Sequence, residues 1–282
     1  MTKLLSFSIG GKSAFGVLED EKIFDLSRRL PDIPDLRALL GAGGFPRAKA
    51  ALAGATVDYQ LSDIVFAPVI PNPAKILCIG LNYEEHVAET QRPRTRFPTV
   101  FTRFADTLVG HGGAVIKPHH SSKVDYEAEL AVIIGKPGRD IPRERAAEHV
   151  AGYACFNDVS VRDFQGHTSQ FTAGKNFPGS APFGPVLVSA DELGVVGPQR
   201  IQSRLNGQVM QNAHLGEMIF PISELIAYIS QWTPLAVGDV IATGTPGGVG
   251  MRRVPPVYMG DGDEIVVEID GVGVLKNKVV AA

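Results

Sequence analysis

The chain contains 282 residues, of which 44% are hydrophobic and 20% charged, a composition typical of a soluble globular protein with a substantial core. Its formal net charge is −3 and it has no Lys/Arg-rich run, which argues against nucleic acid as a partner. No stretch approaches the ~20 apolar residues of a membrane span, and the start of the chain lacks a signal-peptide pattern, so the sequence predicts a cytoplasmic protein without a membrane partner. Cys78 and Cys155 lie among apolar residues and are predicted to be buried free thiols.

Residues 1–67 predict a small N-terminal α/β domain. Segments 4–10 and 13–27 are typical of a β-meander with a turn at Glu19–Glu21, and residues 36–53 have a helical pattern interrupted by glycines and a proline. Three prolines then occur between Pro68 and Pro73, and proline blocks regular structure. We therefore place a boundary at residue 68, with a larger domain over 68–282.

The larger domain is predicted to be rich in strands. The patterns predict a strand over 124–136, a helix over 143–153, a hairpin turning at Asn206–Gly207, and an amphipathic helix over 222–232 that Ser223 caps. Further strands joined by glycine turns follow in residues 237–279. Because the order lacks regular βαβ alternation, it argues against a doubly wound sheet or a TIM barrel and favours a β-rich α+β fold.

Two glutamates in the predicted strand 124–136 are candidate metal ligands. Glu127 and Glu129 stand at i and i+2, so their side chains share a face with Cα atoms roughly 6.5–7 Å apart. Carboxylates held that close raise each other's pKa unless a cation lies between them, and oxygen ligands suit Mg²⁺, Mn²⁺ or Ca²⁺. The alternative is a solvated strand end that discourages edge pairing.

A second polar segment follows the apolar residues YACF. If residues 158–165 are helical, Asp158, Arg162 and Gln165 share one face and form a site for a metal-bound oxyanion. The alternative is an ordinary i,i+4 Asp–Arg pair on a surface helix.

His86 and Glu89 are candidates for acid–base chemistry. They stand at i and i+3, so one helical turn lets the carboxylate contact and orient the imidazole, which then works as a general base. A simple surface contact is the alternative. The basic segment QRPRTRF follows directly, and it either attracts an anionic substrate or forms a solvated loop.

Two glycine-containing loops offer groups for an anion. Lys175, in TAGKNF, can deliver an ammonium group, and residues 244–250 offer backbone N–H groups and the Thr245 hydroxyl to a carboxylate. The second loop lacks the Lys-Ser/Thr ending of a P-loop, no GxGxxG opens a helix, and no serine lies in a GxSxG context. The sequence therefore argues against nucleotide binding, NAD binding and an α/β-hydrolase nucleophile.

Six segments occur in the order found in the fumarylacetoacetate hydrolase family: IGLNYEEHVAE, DYEAELAVIIGK, GYACFNDVSVRDFQ, AGKNF, NGQVMQ and VGDVIATGTPGGVG. The chain resembles that family over about residues 68–280. The resemblance implies a catalytic domain built as a mixed β-roll or sandwich, a variable small domain before it, and a homodimer.

The resemblance also implies roles for particular residues. Glu127, Glu129 and Asp158 match ligands of a divalent metal, commonly Mg²⁺, while His86 and Glu89 match a catalytic dyad on a lid. Lys175 matches a further catalytic group beside the metal-bound substrate. The matched substrate-binding positions are Arg162, Gln165, Thr245 and Arg103, the last replacing the lysine usual in the family. The segments NFPGSAPFGP and NAHLGEM also depart from the family pattern, and all these departures touch the substrate side.

Metal-dependent hydrolysis of a C–C bond in an acylpyruvate or another β-diketo acid is the activity that the resemblance implies first. Substrates of the fumarylpyruvate, maleylpyruvate or fumarylacetoacetate type arise in the catabolism of aromatic compounds. The same ligands also suit decarboxylation of oxaloacetate-like acids, isomerisation of hydroxymuconate-type acids, or dehydration of sugar acids. A non-catalytic protein that binds a metal and an oxo acid is a further alternative.

Overall fold

A computed structural model describes residues 2–282. The N-terminal part contains β1 Lys3–Ile9, β2 Lys12–Glu19, β3 Lys22–Asp25, α1 Leu26–Arg29, α2 Leu36–Gly41, α3 Gly44–Ala51, β4 Tyr59–Gln60 and β5 Val65–Phe66. The predicted meander and its turn are confirmed, and Asp20 and Glu21 take positive φ angles of 45° and 64° in that turn. The helical pattern of residues 36–53 forms two helices because Gly43, at φ 112°, leaves the helical region between them.

Strands dominate the larger part of the chain. Its elements are β6 Ile76–Gly80, α4 Glu84–Thr90, β7 Thr99–Arg103, β8 Leu108–Val109, β9 Ala114–Lys117, β10 Val124–Asp125, β11 Ala128–Ile134, β12 Val150–Asn157, β13 Ser160–Val161, α5 Arg162–Gln165, α6 Thr172–Lys175, β14 Ala181–Ser189, α7 Ala190–Leu193, β15 Arg200–Leu205, β16 Gln208–His214, α8 Ile222–Trp232, β17 Val240–Ala242, β18 Glu264–Ile269 and β19 Gly273–Ala281. Short 3₁₀ helices cover Leu61–Asp63, Ala105–Thr107, Arg143–His149, Leu215–Glu217 and Gly250–Arg252.

The strands form one large sheet and two smaller ones. The large sheet runs β4-β3-β2-β1-β14-β12-β11-β17-β6-β7, with β5 on β1 and β8 on β14. A five-stranded sheet runs β16-β15-β18-β19-β9, and β10 pairs with β13 alone. Since β1 pairs with β14, through Leu4 opposite Leu187, the N-terminal meander extends the sheet of the larger region. The division at residues 67 and 68 stays a prediction.

Strand β11 lies inside the large sheet and is buried on both faces. Leu130, Val132 and Ile134 point into a core shared with α8 and the five-stranded sheet. The alternate residues Ala131 and Ile133 point into a second core, which α2 and α3 cover. A strand covered on both sides needs a continuous apolar run, which explains this part of the sequence. The same packing fixes the position of the strand's acidic beginning.

The prediction of one continuous strand over 124–136 is wrong. It is interrupted at Tyr126 and Glu127, and β11 begins only at Ala128. The first two residues leave the large sheet and pair with β13, with Asp125 opposite Ser160. The interruption places Glu127 in a short connection between two sheets.

The prediction of a helix over 143–153 is also wrong. A 3₁₀ helix covers Arg143–His149, and the chain then becomes β12 because residues from Val150 onwards pair with β11 and β14. Sheet pairing overrides the local helical pattern there. Helix α8 is confirmed, but its N-cap position is Pro221, so Ser223 does not cap it.

Several other predictions are confirmed. The hairpin of β15 and β16 turns at Asn206 and Gly207, whose φ angles of 51° and 82° are typical of a type I′ turn. Cys78 and Cys155 are buried free thiols. Within residues 2–282, no helix combines the length and apolar character needed to cross a membrane.

Candidate active site

Three carboxylates meet where β11 begins. Glu127, Glu129 and Asp158 each place an oxygen within 4.8 Å of the others, and all three side chains are buried. The backbone fixes this arrangement, because Asp158 donates its N–H to the Glu127 carbonyl at 2.9 Å. The Asn157 side chain accepts from the Glu127 N–H at 3.0 Å. The structure therefore brings together the three acids that the sequence proposed as metal ligands.

Cationic side chains contact two of the three acids. Lys175 Nζ lies 2.7 Å from Glu127 Oε2 and 2.5 Å from Asp158 Oδ2, and Arg162 Nη1 lies 2.6 Å from Glu127 Oε1. Burial acts to raise the pKa of Glu127, but the Lys175 and Arg162 charges outweigh burial and hold that pKa well below its usual range. Glu127 is therefore a carboxylate at neutral pH.

Glu129 has a different environment. Among residues 2–282 no cationic side chain bonds to it, and its one hydrogen-bond donor is the Gly244 N–H, at 2.9 Å. Burial raises the pKa of Glu129 well above its usual range, and the Asp158 and Glu127 charges raise it further. A buried acid that lacks a positive partner and faces two other acids fits a divalent cation. The residues present are thus suited to hold a metal ion on oxygen ligands.

Helix α4 carries the candidate base. His86 Nδ1 lies 2.6 Å from Glu89 Oε1, as the i,i+3 spacing predicts, and the side chain is 9% exposed. The other Glu89 oxygen accepts the Gly248 N–H at 2.8 Å. Because Glu89 holds Nδ1 and His86 lines the cavity, Nε2 is the nitrogen that faces a substrate.

Arg162 is oriented by Asp125, an acid that none of the sequence motifs assigned to the site. Its Nε donates to Asp125 Oδ2 at 2.8 Å and its Nη1 to Gln165 Oε1 at 3.0 Å. Its Nη2 is buried and has no hydrogen-bond partner within residues 2–282. The predicted single helix over 158–165 is wrong, since β13 separates Asp158 from α5. Arg162 consequently pairs with Asp125 and Glu127 instead of Asp158.

Asp125 is fully buried and also holds a distant turn. Its two oxygens accept N–H groups from Gly250 at 2.8 Å and from Met251 at 2.9 Å. One carboxylate thereby joins Arg162 to the turn after the glycine loop. Its even spacing from Glu127 and Glu129 was the one hint in the sequence, but the partners lie too far along the chain to be inferred.

The glycine loop Gly244–Gly250 binds carboxylates, but they belong to the protein. Its N–H groups at Gly244, Gly248 and Gly250 bond to Glu129, Glu89 and Asp125 respectively. Thr245 lines the cavity, yet its hydroxyl donates to the Ala128 carbonyl at 2.9 Å and accepts from Gln211. Its only hydroxyl proton therefore points into the protein and gives a substrate carboxylate no hydrogen bond in this arrangement.

Arg103 lies behind the acids and does not line the cavity. It donates to Asp158 Oδ1, to Ser180 Oγ at 2.9 Å and to the Val159 carbonyl at 2.5 Å. These contacts use all three guanidinium nitrogens, and the side chain is buried. In place of the predicted substrate contact, its geometry supports a role in positioning Asp158.

Two of the three acids, Glu127 and Glu129, line one cavity of about 110 Å³ together with the cations and the base. Its floor contains Glu127, Glu129, Arg162 and Lys175, and α4 covers it with His86. Its remaining wall comes from Ile79, Gly80, Leu81, Thr90, Arg92, Phe101, Gln165, Gly166, Phe171, Thr245, Met251 and Arg252. A proton-transfer group thus faces a candidate metal site across a compact space.

The profile of the family described as Fumarylacetoacetate (FAA) hydrolase C-terminal matches residues 75–280. The chain belongs to this family, as the order of its motifs predicted. Oxaloacetate tautomerase FAHD2A, mitochondrial, of Homo sapiens is 41% identical over 235 residues, which cover 83% of this chain and 75% of the relative. Oxaloacetate tautomerase YisK of Bacillus subtilis (strain 168) is 37% identical over 285 residues, which cover 93% and 94% respectively.

A solved structure confirms the predicted fold class. The fumarylacetoacetate hydrolase (EaFAH) from psychrophilic Exiguobacterium antarcticum matches with a TM-score of 0.84 at 33% identity and covers 100% of both chains. These relatives are named as enzymes, but the two tautomerases leave the prediction of C–C hydrolysis unconfirmed. The cytoplasmic location also stays a prediction, since the human relative is named as a mitochondrial protein.

Proposed function

We propose that this protein is a metal-dependent isomerase that interconverts the enol and keto forms of oxaloacetate or a closely similar 2-oxo acid. The relatives named as oxaloacetate tautomerases support this choice over hydrolysis. The sequence left isomerisation open for hydroxymuconate-type acids, and it named oxaloacetate only as a substrate for decarboxylation. The predicted homodimer remains part of the proposal.

The metal would be held by Glu127, Glu129 and Asp158, which offer only oxygen atoms. Mg²⁺ is the proposed ion, with Mn²⁺ and Ca²⁺ as alternatives. When bound, the ion supplies Lewis-acid polarisation of the 2-oxo acid.

His86 is the proposed base. In the keto-to-enol direction its Nε2 removes a proton from the carbon beside the ketone, and that C–H electron pair forms the C=C bond. The ketone oxygen takes the negative charge and then a proton from solvent, which completes the enol, and the His86 imidazolium returns its proton to solvent. Glu89 fixes the orientation of the ring and stabilises the imidazolium that forms, because its carboxylate contacts Nδ1 at 2.6 Å.

Lys175 and Arg162 are the proposed groups that stabilise negative charge on the oxygen. Both line the cavity, and Arg162 Nη2 is a buried donor with no protein partner within residues 2–282. A donor that is already in place requires no reorganisation as charge develops, which is the condition for strong electrostatic stabilisation. Gln165, on the same wall, is proposed to bind the substrate through its amide.

The size of the cavity is the observation that carries the proposal. At about 110 Å³ it is smaller than the roughly 300–1,000 Å³ of pockets for drug-sized ligands. A four-carbon acid that only exchanges a proton suits such a space better than an extended diketo acid that must leave as two products.

The test follows decay of the enol of oxaloacetate by ultraviolet absorbance with Mg²⁺ or Mn²⁺. We expect wild type to accelerate ketonisation and His86→Ala to lose about 10²–10⁴-fold in turnover while its metal affinity is unchanged. His214→Ala is the matched control, because His214 makes the same i,i+3 contact, with Glu217 at 3.4 Å, on the exposed surface. A His86→Ala enzyme as fast as wild type would overturn the proposed base.

Hydrolysis of a β-diketo acid is the second candidate. The similarity to the Exiguobacterium antarcticum hydrolase favours it, since a His–Glu pair can equally activate water. Chromatography of the products separates the possibilities. Two smaller acids from an acylpyruvate would support the hydrolase, CO₂ from oxaloacetate a decarboxylase, and binding without turnover the non-catalytic alternative.

A further inference from the structure

The three arginines of the segment QRPRTRF have different surroundings. Arg94 pairs with Glu84 at 2.6 Å, and Arg96 lies over the Phe97 ring, 5.4 Å from its centroid. Arg92 lines the cavity, where its guanidinium lies 5.1 Å from the centroid of Phe171. Only one of the three therefore faces the proposed substrate.

A second arginine reaches the same cavity from another part of the chain. Arg252, in the turn that Asp125 holds, lines the cavity and donates from Nη2 to the Thr90 carbonyl at 3.2 Å. Arg92 and Arg252 are both exposed, whereas the acids on the floor are buried. The two arginines therefore lie at the open end, and we call them the rim arginines.

The rim and the floor differ in charge balance. On the floor, Lys175 and Arg162 contact carboxylates of the protein. Among residues 2–282, neither rim arginine pairs with a carboxylate. The uncompensated positive charge of the cavity thus lies on its exposed side chains, at the opening.

We infer that the rim arginines bind the second carboxylate of a 2-oxo dicarboxylic acid and select such acids over 2-oxo monocarboxylic acids. This inference rests on the proposed function in one respect, that the 2-oxo acid end of the substrate lies at the three acids. In so small a cavity, the rest of the molecule then points towards the opening. Guanidinium groups match a carboxylate in charge and in planar geometry, whereas a methyl group there would leave them without a partner.

The experiment compares oxaloacetate with 2-oxobutyrate, which ends in a methyl group. Exchange of the C3 hydrogens for deuterium, followed by NMR with Mg²⁺ present, gives kcat/KM for each acid. We expect Arg92→Gln and Arg252→Gln each to lower the preference for oxaloacetate about tenfold or more, the size of one lost charge-assisted hydrogen bond. The loss of preference should appear as a higher KM for oxaloacetate, and the kcat/KM for 2-oxobutyrate should not change.

Arg94→Gln is the matched control, since it removes the same charge two residues from Arg92 without touching the cavity. If it lowers the preference as much as Arg92→Gln, the arginines act through their general field and the rim site is wrong. Oxalate provides a second control by calorimetry. It resembles only the 2-oxo acid end of the substrate and has no group that would extend to the rim arginines. Its Kd for the Mg²⁺ enzyme should not change in the rim variants, and a loss equal to that of oxaloacetate would also overturn the inference.

Failure of the proposed function would look different. A wild-type enzyme that exchanges neither acid would refute the isomerase. The rim site is then tested by calorimetry, which gives the Kd of oxaloacetate and of 2-oxobutyrate for the same variants. The ratio of these Kd values measures selectivity without turnover. Equal Kd values for both acids in wild type would reject it.

Discussion

Asp125→Asn is the substitution that tests the buried network most directly. The carboxylate accepts four hydrogen bonds, from the N–H groups of Tyr126, Gly250 and Met251 and from Arg162 Nε, at 2.8–2.9 Å. Asparagine keeps one oxygen and replaces the other by an NH₂ group, which must then face donors. Two of the four donors lose their acceptor, and the buried Arg162 loses one of its two ionic partners.

The expected destabilisation is about 3–5 kcal/mol, the usual effect of removing one partner from a buried ion pair. Domain stabilities are roughly 5–15 kcal/mol, so most of that variant stays folded at 25 °C if the wild type exceeds about 6 kcal/mol. Turnover should fall about 10²-fold, because Arg162 loses its orientation at the cavity wall. Both effects have the same origin, so neither should occur alone.

Urea unfolding followed by fluorescence measures the stability, and the enol assay measures the turnover. Asp140→Asn is the control, since Asp140 pairs with Arg139 at 3.6 Å and both side chains are more than half exposed, at 71% and 65%. Loss of that pair should change stability little, as for most surface ion pairs. An Asp125→Asn protein with the wild-type urea midpoint and turnover would show that the network does not position Arg162.

Three further predictions concern the metal, the glycine loop and the thiols. Glu129→Gln should weaken Mn²⁺ binding, followed by electron paramagnetic resonance, at least about 100-fold, because loss of an outer partner alone costs 10–100-fold; unchanged affinity would exclude it as a ligand. Gly248→Ala should lower the free energy of unfolding by about 1–3 kcal/mol, since the new Cβ would lie 2.4 Å from a carbonyl oxygen at φ +95°. Gly262→Ala is the control for the strain of a positive φ alone, because Gly262 has a φ of +84° and a new Cβ there would meet nothing within 4 Å. An equal loss of unfolding free energy in the two variants would contradict the steric argument. Burial raises the pKa of Cys155 to about 12 and that of Cys78 well above its usual range. Because the thiolate is the reactive form, a disulfide reagent at pH 8 should label neither cysteine in the native protein and both cysteines after unfolding. Fast labelling of the native protein would show that the thiols are not buried.

Local patterns predicted well where the partners are near in sequence. The hairpin at Asn206–Gly207 follows from turn chemistry, and the His86–Glu89 contact follows from one helical turn. The pairing of Glu127 with Glu129 was also predicted, although on the basis of a continuous strand that the structure does not contain. Both acids do face the site, but Glu127 does so from the connection before β11.

The failures involve partners that are distant along the chain. Asp125 depends on Gly250 and Met251, which local spacing cannot indicate. Arg103 was expected to contact the substrate because it stands where the family usually has a lysine, yet its donors are used by the segment 158–180. The helix predicted over 143–153 gave way to β12, since strand pairing outweighs local propensity.

The glycine loop has a consequence for how the protein can change. The proposed metal ligand Glu129, the Glu89 partner of the proposed base, and the Asp125 partner of Arg162 all accept N–H groups of one seven-residue segment. A shift of that backbone alters all three roles together, so mutations there are rarely neutral for any of them. Variation that adapts the protein to another acid is therefore expected at the cavity opening, where Arg92 can be exchanged while the loop stays in place.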